Sequence, residues 1–309
     1  MKIGMIGLDT SHCTAFTRLL NDPRANFHVP GGKVVVAYPG GSSDFALSRS
    51  RVEGITQELK ESFGIQMAAG CEEVAAAVDG ILLTSVDGRI HREQFEKVAP
   101  YGRPVFIDKP LAVSSQDADH ILETAQEHGV PLLSTSALRY AEPLVEVLEE
   151  GEIFGVDCYG PMNLEETQPG LFWYGIHGVE MMYAVLGRGC ERVTAYSNSQ
   201  QDVIVGEWSD GRIGTYRGNR QGNREFGAVV HRAEGSSHAD VSHAAKPFYA
   251  SLLEQVMKLF QTRIAPVDAE ETREIIQFME AANESRETGR TVSLAARGKR
   301  SRPGRGSLA

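Results

Sequence analysis

Apolar positions in the first 140 residues fall into short unbroken runs separated by longer stretches with helical spacing. The runs lie at 2–6, 33–38, 80–84, 104–107 and 131–135. Within Val34-Val35-Val36-Ala37 and Ile81-Leu82-Leu83 no polar residue alternates with the apolar ones. Strands covered by helices on both faces have this character. Between the runs, helical patterns occupy 12–21, 48–63, 71–78, 92–99 and 115–128; Ser115 stands at the N-cap position of the last, and Gly129 follows its end. Strands and helices that alternate in this way, joined by right-handed crossovers, stack as a doubly wound parallel sheet. The expected fold class is α/β, with the parallel sheet built from residues 1–138.

The pattern changes after Leu138. Helical spacing over 142–150 and 172–186 is followed by short alternating segments at 192–196, 202–208, 212–216 and 226–232. Ser209-Asp210-Gly211 between two of them carries a hairpin signal. Two further helices, 247–261 and 269–288, close the segment. Residues 139–294 therefore read as an α+β domain with a mostly antiparallel sheet, and 295–309 as a basic, flexible tail. An open sheet of this kind packs readily against a copy of itself, so a homo-oligomer, dimer or tetramer, is expected.

Composition narrows the function classes. The chain has 309 residues, 23% charged and 41% hydrophobic, with a formal net charge of -10. Nucleic-acid and anionic-membrane binders need clustered positive charge. The one such cluster, Arg297-Gly298-Lys299-Arg300, is read as a solvated terminus, so neither partner is expected. Cys13, Cys71, Cys158 and Cys190 lie far apart, as reduced thiols do. With no signal-peptide pattern and no apolar stretch near the roughly 18 residues of a membrane span, the expected location is the cytoplasm.

The turn after the first run is where a dinucleotide fingerprint, G-x-G-x-x-G, belongs. It reads Gly7-Leu8-Asp9-Thr10-Ser11-His12: Gly7 is in place, but Asp9 holds the second glycine position and His12 the third. Two outcomes stay open. The helix amino end, helped by donors on Thr10, Ser11 and His12, still binds phosphate; or Asp9 caps the helix and the site is lost. After the second run, Ala37-Tyr38-Pro39-Gly40-Gly41-Ser42-Ser43 offers no acid for a ribose, while Ser42, Ser43, Arg49 and Arg51 suit an NADP phosphate or are incidental to the loop. Either NAD or NADP is therefore admitted.

Val105-Phe106-Ile107-Asp108-Lys109-Pro110 ends an apolar strand in an acid, a lysine and a proline. Ligands of open α/β sheets bind beyond the carboxyl ends of the strands, which directs Lys109 into the crevice. Together with Thr84-Ser85-Val86-Asp87 and His91, Arg139-Tyr140-Ala141-Glu142-Pro143 and Trp173-Tyr174-Gly175-Ile176-His177-Gly178-Val179-Glu180, this segment resembles the Gfo/Idh/MocA (glucose–fructose oxidoreductase/inositol dehydrogenase) family of NAD(P)-dependent oxidoreductases. Its E-K-P motif appears as Asp108-Lys109-Pro110, and its D-x-G-x-H-x-x-D motif keeps the glycine and histidine but has Trp173 for the first aspartate and Glu180 for the last acid.

The resemblance implies a Rossmann-type nucleotide domain and hydride transfer between a nicotinamide and a sugar-like or cyclitol substrate. It makes His177 the general base and Lys109 the group that polarises the reacting oxygen. It places Gly7, Asp9, Thr10, Ser11, His12, Ser42, Ser43, Thr84, Ser85, His91, Asp108 and Lys109 at the cofactor, and Arg139, Tyr140, Trp173, Tyr174 and Glu180 at the substrate. His177 and Glu180 share a helix face, but His231, His238 and His243 lack ligand spacing, so no metal is expected. Two other readings stand beside it: redox-assisted elimination or hydrolysis with retained NAD, and a non-catalytic binding protein with a degraded cofactor site.

Overall fold

The computed structural model describes residues 1–149 and 151–294; the basic tail lies outside the described residues. Six strands form the first sheet: β1 (Lys2–Ile6), β2 (Lys33–Tyr38), β3 (Gln66–Met67), β4 (Gly80–Leu83), β5 (Val105–Asp108) and β6 (Leu132–Thr135). They run parallel in the order β3-β2-β1-β4-β5-β6. Helices α1 (His12–Asn21), α2 (Ala46–Phe63), α3 (Cys71–Ala77), α4 (His91–Val98) and α5 (Ser115–Glu127) make the crossovers. The strand order reverses between β1 and β4, so the crevice at their carboxyl ends is the place for a ligand. Every residue of β4 and β5 is buried, as unbroken apolar runs require.

Within this first half, the cap of α5 and the strand β3 depart from the sequence reading. The N-cap of α5 is Ser114, whose hydroxyl accepts from the Asp117 amide, while Ser115 starts the helix and donates to Glu280. The two-residue strand β3 is too short to show a period and was not anticipated.

After α6 (Glu142–Leu148), a second sheet comprises β7 (Gly155–Pro161), then, beyond helix α7 (Ile176–Leu186), β8 (Cys190–Ser197), β9 (Gln201–Trp208), β10 (Ile213–Asn219), β11 (Gly227–Arg232), β12 (Gly235–Asp240) and, near the end, β13 (Val292–Ser293). Its order is β12-β11-β7-β10-β9-β8-β13, antiparallel except for the β7–β10 pair. The hairpin at Ser209-Asp210-Gly211 forms, with Gly211 at φ +92. Strands β7 and β12 escaped the sequence reading because Gly-Val-Asp-Cys-Tyr-Gly-Pro and Gly-Ser-Ser-His-Ala-Asp have turn composition; their neighbours, not their propensity, hold them in the sheet.

The last two helices, α8 (Phe248–Thr262) and α9 (Ala269–Thr288), go to different places. Ala250, Leu253, Val256, Met257 and Phe260 of α8 join Ile3, Phe16, Leu82 and Phe106 in a core against the first sheet. Helix α9 instead lies on β8, α5 and α7 and buries Ile275, Phe278 and Met279 in the larger core, which runs from one face of the first sheet to the second sheet. The return of α8 brings Tyr249 to the amino end of α1.

Candidate active site

Lys109 follows the last residue of β5, and α7 presents His177 from the second domain. The α7 backbone lies close against β10 because residue 178 is glycine: a Cβ there would meet the Tyr216 ring at 2.1 Å. Both groups line one cavity of about 80 Å³, together with His12, Asp108, Tyr174, Phe226 and Tyr249. Sites for drug-sized ligands run from roughly 300 Å³, so this cavity is too small to hold a whole molecule of that kind.

The electrostatics follow from burial. Removal from water pulls the Lys109 ammonium below the usual lysine range, partly offset by Asp108. Burial first, then the charge of Lys109 beside it, hold the His177 imidazole well below 6.5. Its Nδ1 lies 2.7 Å from the Ser136 hydroxyl. Burial would raise the Asp108 carboxyl, yet His12 and Lys109 draw it below the ordinary carboxylate range. Asp108 Oδ2 is 2.5 Å from His12 Nδ1, and its Oδ1 accepts from the Lys109 amide at 2.9 Å.

The phosphate turn keeps part of its expected form. Gly7 has φ +86, and a Cβ on it would meet Ser85 Oγ at 2.1 Å, so only glycine serves there. The amide of Ser11 has no hydrogen-bond partner in the protein among the described residues, and Ser11 is exposed. This donor set and the empty Cβ position fit a dinucleotide diphosphate at the start of α1. Beyond β2, Ser43 is exposed, and the exposed Asp44 carboxylate is paired with Arg89 at 2.9 Å.

Several expected site residues do something else. Asp9 does not cap α1 and does not face the crevice. It is fully buried and accepts from Ser48 Oγ at 2.6 Å and the Val86 amide at 2.9 Å, pinning the turn to α2 and to the loop after β4. Thr84 donates to the Gly7 carbonyl, Ser85 donates to Gln94, and the His91 ring sits between the carbonyls of Ser85 and Pro110. These three shape the turn from behind, and Ser42 is likewise buried. Arg139 and Glu180 do not enter the cavity: Arg139 bridges Glu180 at 2.8 Å and Glu271 at 2.7 Å, and Thr135 also donates to Glu180. Tyr140 packs beside the α8 core and does not line the cavity.

Trp173 departs furthest from its expected place at a sugar ring. It lies edge-on to Phe45, with ring centroids 5.5 Å apart, and its carbonyl accepts from Lys109 Nζ at 3.3 Å. Five residues earlier, Gln168 donates to Asp87 at 2.9 Å. The segment 168–173 thus touches residues that follow β2, β4 and β5, and lies as a strap across the carboxyl edge of the first sheet. Gln168, Phe226, Tyr249 and Ser136 were not anticipated. Only Tyr249 carried any signal, an aromatic residue at the start of an amphipathic helix.

Residues 1–136 match the family model described as the GFO_IDH_MocA oxidoreductase family, NAD-binding Rossmann fold. The chain is 27% identical over 176 residues to the 2,7-anhydro-N-acetylneuraminate hydratase of Mediterraneibacter gnavus, a match covering 50% of this chain and 46% of that protein. It is 29% identical over 161 residues to an inositol 2-dehydrogenase of Klebsiella pneumoniae, covering 50% of this chain and 42% of that protein. The matched stretch thus spans less than half the length of either relative. The structure of myo-inositol dehydrogenase from Lactobacillus casei, in complex with NAD(H) and myo-inositol, aligns with a TM-score of 0.73 and 14% identity, covering 95% of this chain and 96% of that one. Residues 1–136 are thus similar to the NAD-binding Rossmann domain of the Gfo/Idh/MocA oxidoreductase family, and the chain as a whole shares the α/β fold of that solved dehydrogenase structure.

Proposed function

We propose that the protein is an NAD(P)-dependent oxidoreductase acting on a CH–OH group of a cyclitol or sugar-like polyol. The observation that carries this reading is the convergence of Lys109 and His177, from two different domains, on one cavity at the carboxyl end of β5. Gly7, Thr10, Ser11, Ser43, Asp44 and Lys109 are the residues that would hold the dinucleotide. When bound, a nicotinamide supplies a two-electron hydride acceptor or donor. The chain's own part is to hold the carbinol. The Lys109 ammonium polarises its oxygen, His177 hydrogen-bonds to it, and Tyr174, Phe226 and Tyr249 keep water from the reacting carbon. The strap 168–173 covers the crevice in the described conformation, so loading of the dinucleotide entails its displacement.

The test is a panel of inositols and hexoses, myo-inositol first, offered with NAD+ and NADP+ and followed at the absorbance band of the reduced nicotinamide. Turnover that disappears in Lys109→Ala is the expected result. No turnover on any member, with no thermal stabilisation by millimolar NAD+ or NADP+, overturns the reading. The hydratase relative favours a second reading, redox-assisted elimination or hydration with retained NAD. It predicts product formation without net accumulation of reduced nicotinamide.

A further inference from the structure

His12 stands where the dinucleotide fingerprint has its third glycine. The fingerprint needs glycine there for close helix–strand packing; here an imidazole occupies the position and is built into the catalytic cavity. Its ring lies 4.7 Å from the Tyr249 ring and 5.4 Å from the Phe16 ring, its Nδ1 is 2.5 Å from Asp108 Oδ2, and the residue lines the same cavity as Lys109 and His177. Resting on the oxidoreductase reading above, we infer that His12, oriented by Asp108, takes the proton of the substrate hydroxyl, and that His177 positions that hydroxyl.

The chemistry of the three candidate groups supports the assignment. A proton acceptor must form a stable cation in the reacting complex, and that is best served by a carboxylate on its far side. His12 has one. An ionised Asp108 only accepts hydrogen bonds, so a neutral His12 facing it would carry its proton on Nδ1 and present Nε2 to the cavity. Among the described residues His177 has no carboxylate within hydrogen-bond reach: its Nδ1 meets the Ser136 hydroxyl, Lys109 beside it opposes a second positive charge, and Asp108 acts on it only at longer range. Lys109 has its Nζ directed to the Trp173 carbonyl and over the Trp173 ring. The titratable groups facing His12 in the cavity are Asp108 and Lys109 from β5 and the residue after it, Tyr174 from the turn before α7, His177 from the first turn of α7, and Tyr249 from α8.

The step balances. The substrate O–H proton would pass to His12 Nε2, and a bound oxidised nicotinamide would supply the two-electron acceptor for the carbinol hydrogen as the alcohol carbon becomes a carbonyl. The imidazolium so formed is neutralised by Asp108 and later releases its proton to solvent. This assignment also accounts for a glycine position filled by a large polar ring: the site gains the His12–Asp108 dyad where the family motif has only backbone.

Two measurements on the full chain test the inference. The first is kinetic: wild type, His12→Gln, Asp108→Asn and His177→Gln with NAD+ and the myo-inositol-led panel, with pH profiles of kcat/KM and NAD+ affinity from protein fluorescence. His12→Gln is expected to lower kcat by about 10²–10⁴, to flatten the low-pH fall of kcat/KM and to leave NAD+ affinity within threefold. Asp108→Asn should do the same, and His177→Gln should raise KM more than it lowers kcat. A His12→Gln kcat within threefold of wild type, with the low-pH fall intact, overturns the inference.

The second measurement is independent of turnover. Histidine-selective ¹⁵N resonances, assigned with His12→Gln, should show His12 protonated on Nδ1 and bare on Nε2 with NAD+ bound. A proton on Nε2 overturns the inference. Absence of turnover on every substrate instead counts against the oxidoreductase reading, and the His12 tautomer still decides whether the dyad is poised as a base.

Discussion

Replacing Asp9 by alanine separates two accounts of the altered phosphate turn. If the carboxylate faced the crevice, its removal would relieve repulsion of a diphosphate and tighten dinucleotide binding tenfold or more. The structure turns it inward, where it accepts from Ser48 Oγ at 2.6 Å and from the Val86 amide at 2.9 Å. Each hydrogen bond to a charged acceptor is worth about 1.5–3 kcal/mol, so the two together hold roughly 3–6 kcal/mol. Part of this is offset by the cost of burying the carboxylate, seen in the upward push that burial gives the Asp9 carboxyl. The net expectation for Asp9→Ala is a loss of about 2–4 kcal/mol, a fall in Tm of roughly 4–16 °C at the scale typical of 150–250-residue domains. Asp9→Asn, which keeps one acceptor, should lose about half as much. Thermal melts with and without NAD+ give both stability and affinity in one assay, and NAD+ affinity should move less than threefold. An Asp9→Ala variant that melts like wild type and binds NAD+ tenfold tighter would refute the inward pin.

Arg139→Met leaves Glu180 and Glu271 buried without their cation and should cost about 3–5 kcal/mol, with a good part recovered by Arg139→Met/Glu180→Gln/Glu271→Gln in denaturant melts; a triple variant no better than the single one refutes the charge account. Gln168→Ala removes the strap's bond to the ionised Asp87 and should tighten NAD+ binding up to about tenfold by calorimetry, since the open form no longer competes with that contact. Weaker binding would assign Gln168 to the dinucleotide itself. The depressed His177 sets a sign for pH: the unfolded chain takes up a proton near 6.5 that the native state refuses, so stability falls as pH drops below that value, by up to ~1.4 kcal/mol per unit. Denaturant melts from pH 7 to 5 should show a shallower slope in His177→Gln; identical slopes would place the His177 titration elsewhere.

The local pattern of the chain determines the parallel sheet. Unbroken apolar runs such as Val34-Val35-Val36 and Ile81-Leu82-Leu83 can be satisfied only with helices on both faces, and Gly7 and the Asp108-Lys109-Pro110 strand end mark the crevice edge by backbone geometry and position alone. Lys109, His177 and Tyr174 were legible because each sits next to a glycine, a proline or a strand end that constrains where it can go. What the tertiary structure decided were the directions of side chains whose type suits more than one role. Asp9 is chemically able to cap, repel or pin, and only the approach of Ser48 and Val86 selects pinning. Arg139 and Glu180 have the charges of a binding site but find each other first, 41 residues apart in sequence. Trp173 and Gln168 become a strap because the second domain folds back across β2, β4 and β5, and Tyr249 reaches His12 because α8 returns to the first sheet. Propensity and periodicity act over a few residues, whereas the partner of a buried polar group is fixed by whichever distant segment packing brings within hydrogen-bond reach.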